Sequence, residues 1–267
     1  MNAPSPRIRL LFVAMLLAVS GCEKVPEGDL STILARHTEA RGGAAALEAV
    51  QAIEVTRKVQ EGNRELTTHY VATRDGRMRL DVRNGNATVF SEGYDGESAW
   101  QRRGRLAPVD EMPDWALAAV KRALRQNLYA LHELSANGTV LVLGEREKIS
   151  GSLYYWVIDE TDPDGYQRRL FLDPYDFYVT RVQENTALNP DQTNYPAELN
   201  TFFSDFREVD GVVFSFASET RRAEDGQTLQ TTIATEIIVN PAFDPSIFSR
   251  PADDAESRSQ HAQSDGA

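Results

Sequence analysis

The chain holds one thiol, Cys22, and its position decides what that thiol could do. Arg7 and Arg9 precede an apolar run of ten residues, Leu10 to Val19, and Ser20-Gly21 lead into the cysteine. A basic segment followed by a short apolar one is a secretory signal. Other candidate chemistry is sparse. His37, His69, His132 and His261 have no metal-ligand spacing. Asp110, Glu111 and Asp114 cluster where a helix begins, and the helix dipole favours negative charge there. Glu160 to Gly165 is oxygen-rich, but the twelfth position of a calcium loop would fall on Phe171, so a turn is the better reading. No nucleophile elbow, phosphate loop or dinucleotide motif occurs. The expectation is a protein with no catalytic residue, metal or cofactor. Arg57 alone stands out, because it shares a period-two face with Ile53, Val55 and Val59. An inward arginine is unfavourable unless paired. The alternative is a twisted strand end from which it snorkels to water.

Val19-Ser20-Gly21-Cys22 is similar to the lipobox of bacterial lipoproteins, where cleavage precedes a cysteine carrying diacylglycerol. Ten apolar residues are too few for the ~20 that span a bilayer. No Ala-x-Ala-like site offers ordinary cleavage. The organisation expected is a signal peptide at 1–21, a lipidated tether at 22–28, one domain at 29–251 and a disordered tail at 252–267. The whole chain has a formal charge of −12, and losing residues 1–21 with their two arginines leaves −14. Such a chain has no affinity for nucleic acid. Anionic headgroups repel it too, so acyl chains must supply the membrane partner, at ~0.8 kcal/mol per buried methylene. Six residues, Glu23 to Gly28, reach at most ~20 Å and keep the domain near the bilayer. Glu23 stands where an aspartate would favour inner-membrane retention, so the expected address is the outer membrane, facing the periplasm.

The elements follow from periodicity. Leu30, Ile33, Leu34 and His37 predict a helix from Asp29 to Arg41, ended by Gly42-Gly43, and Ala44 to Val50 a second one. Leu117, Val120, Leu124, Leu128 and Leu131 predict a helix over Pro113 to Leu134. From Ile53 the period is two, cleanest at Met78, Leu80 and Val82; Leu153, Tyr155 and Val157 mark another strand. Seven Asx-Gly pairs, from Asp75-Gly76 to Asp225-Gly226, imply a long antiparallel meander. The fold class expected is α+β, a single domain of about ten to eleven antiparallel strands with helices against one face.

Several segments together resemble the LolA-like outer-membrane lipoprotein-sorting superfamily, in particular its uncharacterised lipobox-bearing members. They are His37 to Gly43, Gly93-Tyr94-Asp95-Gly96 before Trp100, Phe171 to Pro174, Asp205 to Val212, Val239-Asn240-Pro241 and Ile247 to Pro251. The resemblance implies a half-open curved barrel, its concave face covered by helices, that binds acyl chains. It also implies a role for Arg57, since the family's carrier has a comparably placed arginine that holds its lid helices. The hairpin tip Arg83-Asn84-Gly85-Asn86 is wholly polar, where the family's receptor inserts an apolar loop into the membrane. Val55, Arg57, Tyr70, Met78, Leu80, Trp100, Leu117 and Leu124 are the candidate wall of a hydrophobic-ligand cavity; ordinary core is the other reading of each. Two functions are carried forward. One is a membrane-anchored binder of a lipid or lipoprotein in transport or sensing. The other is a non-catalytic module with a filled core that docks an envelope protein.

Overall fold

The computed structural model describes residues 28–188 and 196–252. The predicted signal peptide, Cys22 and nearly all of the tether and tail lie outside the described residues. The helices are α1 (Leu30–Ala40), α2 (Ala44–Ala49), α3 (Asp114–Leu128) and α4 (Leu131–Leu134). The strands are β1 (Ala52–Glu61), β2 (Arg64–Thr73), β3 (Met78–Asn84), β4 (Ala87–Tyr94), β5 (Ala99–Arg102), β6 (Asp110–Glu111), β7 (Val140–Leu143), β8 (Lys148–Ser150), β9 (Leu153–Tyr154), β10 (Trp156–Thr161), β11 (Gln167–Leu172), β12 (Val179–Thr186), β13 (Ala197–Val209), β14 (Val212–Arg222) and β15 (Thr228–Val239).

Thirteen strands form one antiparallel sheet, in the order β6-β5-β4-β3-β2-β1-β15-β14-β13-β12-β11-β10-β7, and β8 pairs only with β9. The expected ten to eleven strands were too few, because two-residue β6 and β9 carry no periodicity to read. Six of the seven Asx-Gly pairs sit at hairpin turns. The seventh, Asn137-Gly138, closes a 3-10 turn with Gly138 left-handed. The sheet is two meanders sewn together by β1 and β15, where Val55 faces Ile237 and Arg57 faces Ala234.

One helix shows that the sheet curls. Lys121 of α3 lies over the Tyr94 ring of β4, while its neighbour Arg122 pairs with Asp164 in the β10–β11 turn. Those strands stand eight and nine places apart in the sheet order. At ~4.8 Å per strand a flat sheet would separate them by roughly 40 Å, and a helix is only ~10–12 Å wide. The sheet therefore wraps around α3, and it stays open because β6 and β7 end it unjoined.

The long helix expected over Pro113 to Leu134 is broken. Tyr129 and Ala130 are extended, and α4 follows as one short turn. The break leaves few orphaned groups, since the Glu133 carboxylate accepts the Ala130 N–H at 2.8 Å and Arg74 donates to the Leu128 carbonyl at 2.9 Å. Helix α1 is as expected, with Asp29 accepting from the Thr32 N–H. It ends at Gly42 because φ is +114° there and a Cβ would sit 2.0 Å from the Gly211 carbonyl oxygen. That approach lets Val213 N–H bond the Arg41 carbonyl and fixes α1 to the start of β14.

Two apolar clusters result. Val120, Leu124 and Leu128 of α3 cover Val55, Tyr70, Met78 and Tyr94. Ile33, Leu131 and Leu134 cover Trp156, Ile158, Leu170 and Leu172. The second cluster corrects the expected strand, whose helix-facing residues are Trp156 and Ile158 in place of Leu153, Tyr155 and Val157. Val157 is buried as well, so both faces are dry there and alternation loses its meaning.

Candidate functional site

Between the two clusters, which touch at Tyr129, lies a cavity of about 410 Å³ over the middle of the sheet. That is within the ~300–1,000 Å³ of small-molecule sites. Its cause is local. Helix α3 packs with β1 to β4 and with Phe216 and Ala234 of β14 and β15, α1 with α4 packs on β10 to β12, and the cavity opens between them. Small side chains there, Ala234, Thr232, Ser218 and Thr201, leave the volume open. Phe203, Phe206, Phe214 and Ile237 give it an apolar wall. Phe206 also lines the cavity, three residues from Phe203 and just past Asp205, whose backbone is left-handed at φ +55° while the β13–β14 ladder keeps its register.

Of the residues predicted to line a cavity, Val55 and Arg57 do so. Tyr70, Met78 and Leu124 lie in the packed cluster under α3, with Leu80 and Leu117 at its margin. Trp100 lies on the opposite face beside Arg79, 1% exposed, its indole N–H donating to the Phe248 carbonyl at 2.9 Å. The C-terminal segment covers that face, which is why an apolar side chain belongs there. Gly93, opposite Trp100 in the ladder, has no room for a side chain, since a Cβ would come within 2.6 Å of the indole.

Charged groups on the wall are Arg41, Arg57, Arg168 and Glu184. Arg168 contacts buried Glu160 at 2.9 Å, although both Glu160 oxygens lack an aligned hydrogen bond, so the contact is ionic in character. Burial pushes the Glu160 carboxyl up, against the pull of Arg168. Glu184 accepts from the Tyr166 hydroxyl at 2.6 Å and faces Arg168 across the ladder. Arg41 donates through Nε to the Val213 carbonyl at 2.6 Å and lies over Phe214. Among the described residues Arg57 has no hydrogen-bonding or ionic partner; its guanidinium lies 5.8 Å from the Tyr70 ring centroid. It makes no bond to the helices, so the lid-holding role implied by the resemblance has no contact behind it in this conformation. His37 is a further wall residue, 2% exposed, bonded through Nδ1 to the Phe177 carbonyl at 2.7 Å. Burial, with Arg41 nearby, pulls its pKa down to about 4, so it is neutral at pH 7.

The sequence pointed to Arg57 through its period-two face. It gave no comparable sign for Arg41, at a helix end, or for Arg168, in a strand rich in charge. Among the described residues no group of three or more His, Cys, Asp or Glu could hold a metal. No described helix is long and apolar enough to cross a membrane.

No protein-family model matches the chain. No curated protein matches it either. Solved structures do. A LolA-superfamily protein from Nitrosomonas europaea superposes with a TM-score of 0.54 at 10% identity, covering 84% of this chain and 99% of that one. A DUF1329-family protein from Desulfovibrio piger gives 0.55 at 13% identity, covering 84% and 98%. An outer-membrane lipoprotein-sorting protein domain from Vibrio parahaemolyticus gives 0.51 at 10% identity, covering 82% and 95%. The chain therefore has the fold of LolA-superfamily proteins, wrapped around a cavity it shapes with its own side chains.

Proposed function

We infer that the protein is a non-catalytic envelope lipoprotein, anchored through Cys22, that binds a hydrophobic ligand in the cavity and serves in lipid or lipoprotein transport or sensing. The observation that carries this reading is the 410 Å³ cavity with its phenylalanine and isoleucine wall. Displacing water from such a wall is favourable without directional bonds, which suits an acyl chain. Similarity to an outer-membrane lipoprotein-sorting domain supports it in kind. The anchor rests on the sequence before residue 23. Cys22→Ser in the full chain is expected to abolish incorporation of labelled palmitate and to release the protein from the membrane fraction. Unchanged labelling would remove the anchor.

The ligand is tested on residues 23–267, which contain every described element and both apolar clusters. Purified without detergent and examined by native mass spectrometry, this protein is expected to carry acyl species. An empty domain that takes up no added amphiphile would sink the binding reading. It would favour docking instead, for which edge strand β7 offers exposed Val140 and Val142, 57% and 53% accessible.

A further inference from the structure

We propose that the cavity selects an anionic, single-chain amphiphile, with its carboxylate or phosphate on Arg57 and its chain along the phenylalanine wall. The proposal rests on the hydrophobic-ligand reading above and adds the chemistry of the head.

The cavity is locally positive inside a chain of charge −12. Two of its three arginines are already engaged. Arg168 is balanced by Glu160 behind it and Glu184 across the ladder. Arg41 is pinned to the Val213 carbonyl and the Phe214 ring. Arg57 has neither a carboxylate nor a carbonyl within bonding distance among the described residues, and it sits on the wall of the cavity. Its nitrogens are not among the side-chain atoms sealed from solvent. The surrounding protein has stripped water from the charge without replacing it, which holds the guanidinium pKa below its ordinary value.

Neutral donors flank it. Ser218 and Thr232 pair across the β14–β15 ladder, and Thr232 faces Val59, two residues along β1 from Arg57. Asn127, whose amide donates to the Tyr70 hydroxyl, comes from the α3 side. A planar fork with hydroxyl and amide donors matches the oxygens of a carboxylate or phosphate. Phe214 and Ile237, farther along the same strands, continue the wall with apolar surface, and the cation beside Phe214, Arg41, is already bonded to the Val213 carbonyl. The cavity is thus amphipathic along its length. A neutral or cationic occupant would leave Arg57 buried and unpaired.

The test uses residues 23–267 with the neutral dye N-phenyl-1-naphthylamine as reporter. Dodecanoate, dodecyl phosphate and dodecanol compete for it at pH 7.5, the anions below their micellar concentrations and the alcohol below its solubility limit. Both anions are expected to displace the dye at concentrations about tenfold lower than dodecanol, the scale of one charge-assisted hydrogen bond. Arg57→Gln should reduce that advantage to about twofold, by weakening the two anions more than dodecanol, while Arg57→Lys retains part of it. Preference for one anion over the other names the head group. Three outcomes overturn the proposal. If dodecanol competes as well as the anions, the hydrophobic-ligand reading stands and the anion site falls. If Arg57→Gln keeps the full preference with a native circular dichroism spectrum, the anion lies elsewhere. If neither dye nor any amphiphile binds the wild-type protein, both readings fail together.

Discussion

Replacing Arg74 by methionine is expected to destabilise the fold by about 2–3 kcal/mol, less than breaking a fully buried ion pair, because the side chains of Arg74 and Glu133 keep 14% and 16% of their exposure. The reason is the number of helix ends that one guanidinium serves. Its Nε–H donates to the Val50 carbonyl at 2.8 Å and one terminal nitrogen to the Leu47 carbonyl at 2.9 Å, both at the end of α2. The same nitrogen donates to Leu128, the last residue of α3, at 2.9 Å. The other meets the Glu133 carboxylate of α4 at 2.6 Å. The plane stacks on Tyr129, 4.5 Å from the ring centroid, and the Tyr129 hydroxyl donates to the Arg74 carbonyl. Carbonyls at helix C-termini have no partner within their own helix, and a cation there also meets the favourable end of the dipole. Methionine fills similar space but takes this donor from the Val50 and Leu128 carbonyls and the cation from Glu133, while Leu47 keeps the Val50 N–H and Glu133 keeps the Ala130 N–H. Urea unfolding of the two proteins measures the effect. Adding Glu133→Gln to Arg74→Met should recover part of the loss, because the two residues are in direct contact. A loss below about 1 kcal/mol would show that this junction does not hold the helices to the sheet.

The same residue shows where sequence reading stopped. Arg74 lies beside the Asp75-Gly76 turn, and turn chemistry is local, so the hairpin was legible. The carbonyls that Arg74 satisfies lie 24 to 54 residues away, and the side chain's destination was not. The break at Tyr129 was hidden for the same reason. The leucine stripe continues across it, and what makes the break tolerable is Arg74 and Glu133. The cavity was misplaced on a related ground. Alternation identifies which face of a strand is dry, so Tyr70, Met78 and Leu80 were correctly turned inward. It does not report whether a helix sits on that face. Over β2 and β3 one does, and the positions are packed. Over β14 the same kind of alternation, Phe214 with Phe216, is packed against the cluster on one side and lines a void on the other. Arg57 was legible because charge on an apolar face violates the pattern.

Acid should destabilise the protein through His37, with the loss confined to a window set by two pKa values. The folded imidazole is pulled to about 4 by burial and by Arg41, with a smaller contribution from His132, against the raising effect of its bond to the Phe177 carbonyl. In an unfolded chain a histidine titrates near 6.5. Above pH ~6.5 neither state binds the proton and the full stability is present. Between ~6.5 and 4 the unfolded chain takes up a proton that the folded chain refuses, so stability falls as pH falls, by on the order of 3 kcal/mol at the lower end. Below pH ~4 the folded state protonates too, and this contribution levels off. His37→Gln removes the titration while keeping a donor for the Phe177 carbonyl. The expected result is that urea midpoints of wild type fall more steeply than those of the variant between pH 6.5 and 4, and that the two run parallel above 6.5. Parallel curves throughout would mean that His37 protonates without penalty, and hence that this wall of the cavity is already wet. The location gives the effect its meaning. His37 belongs to α1, which closes one end of the cavity, and a second positive charge beside Arg41 would be added where, among the described residues, no carboxylate is paired with either. Acid loosening should therefore begin at the wall that contains the ligand. Amphiphile release and loss of stability should share the same window in wild type and separate in His37→Gln.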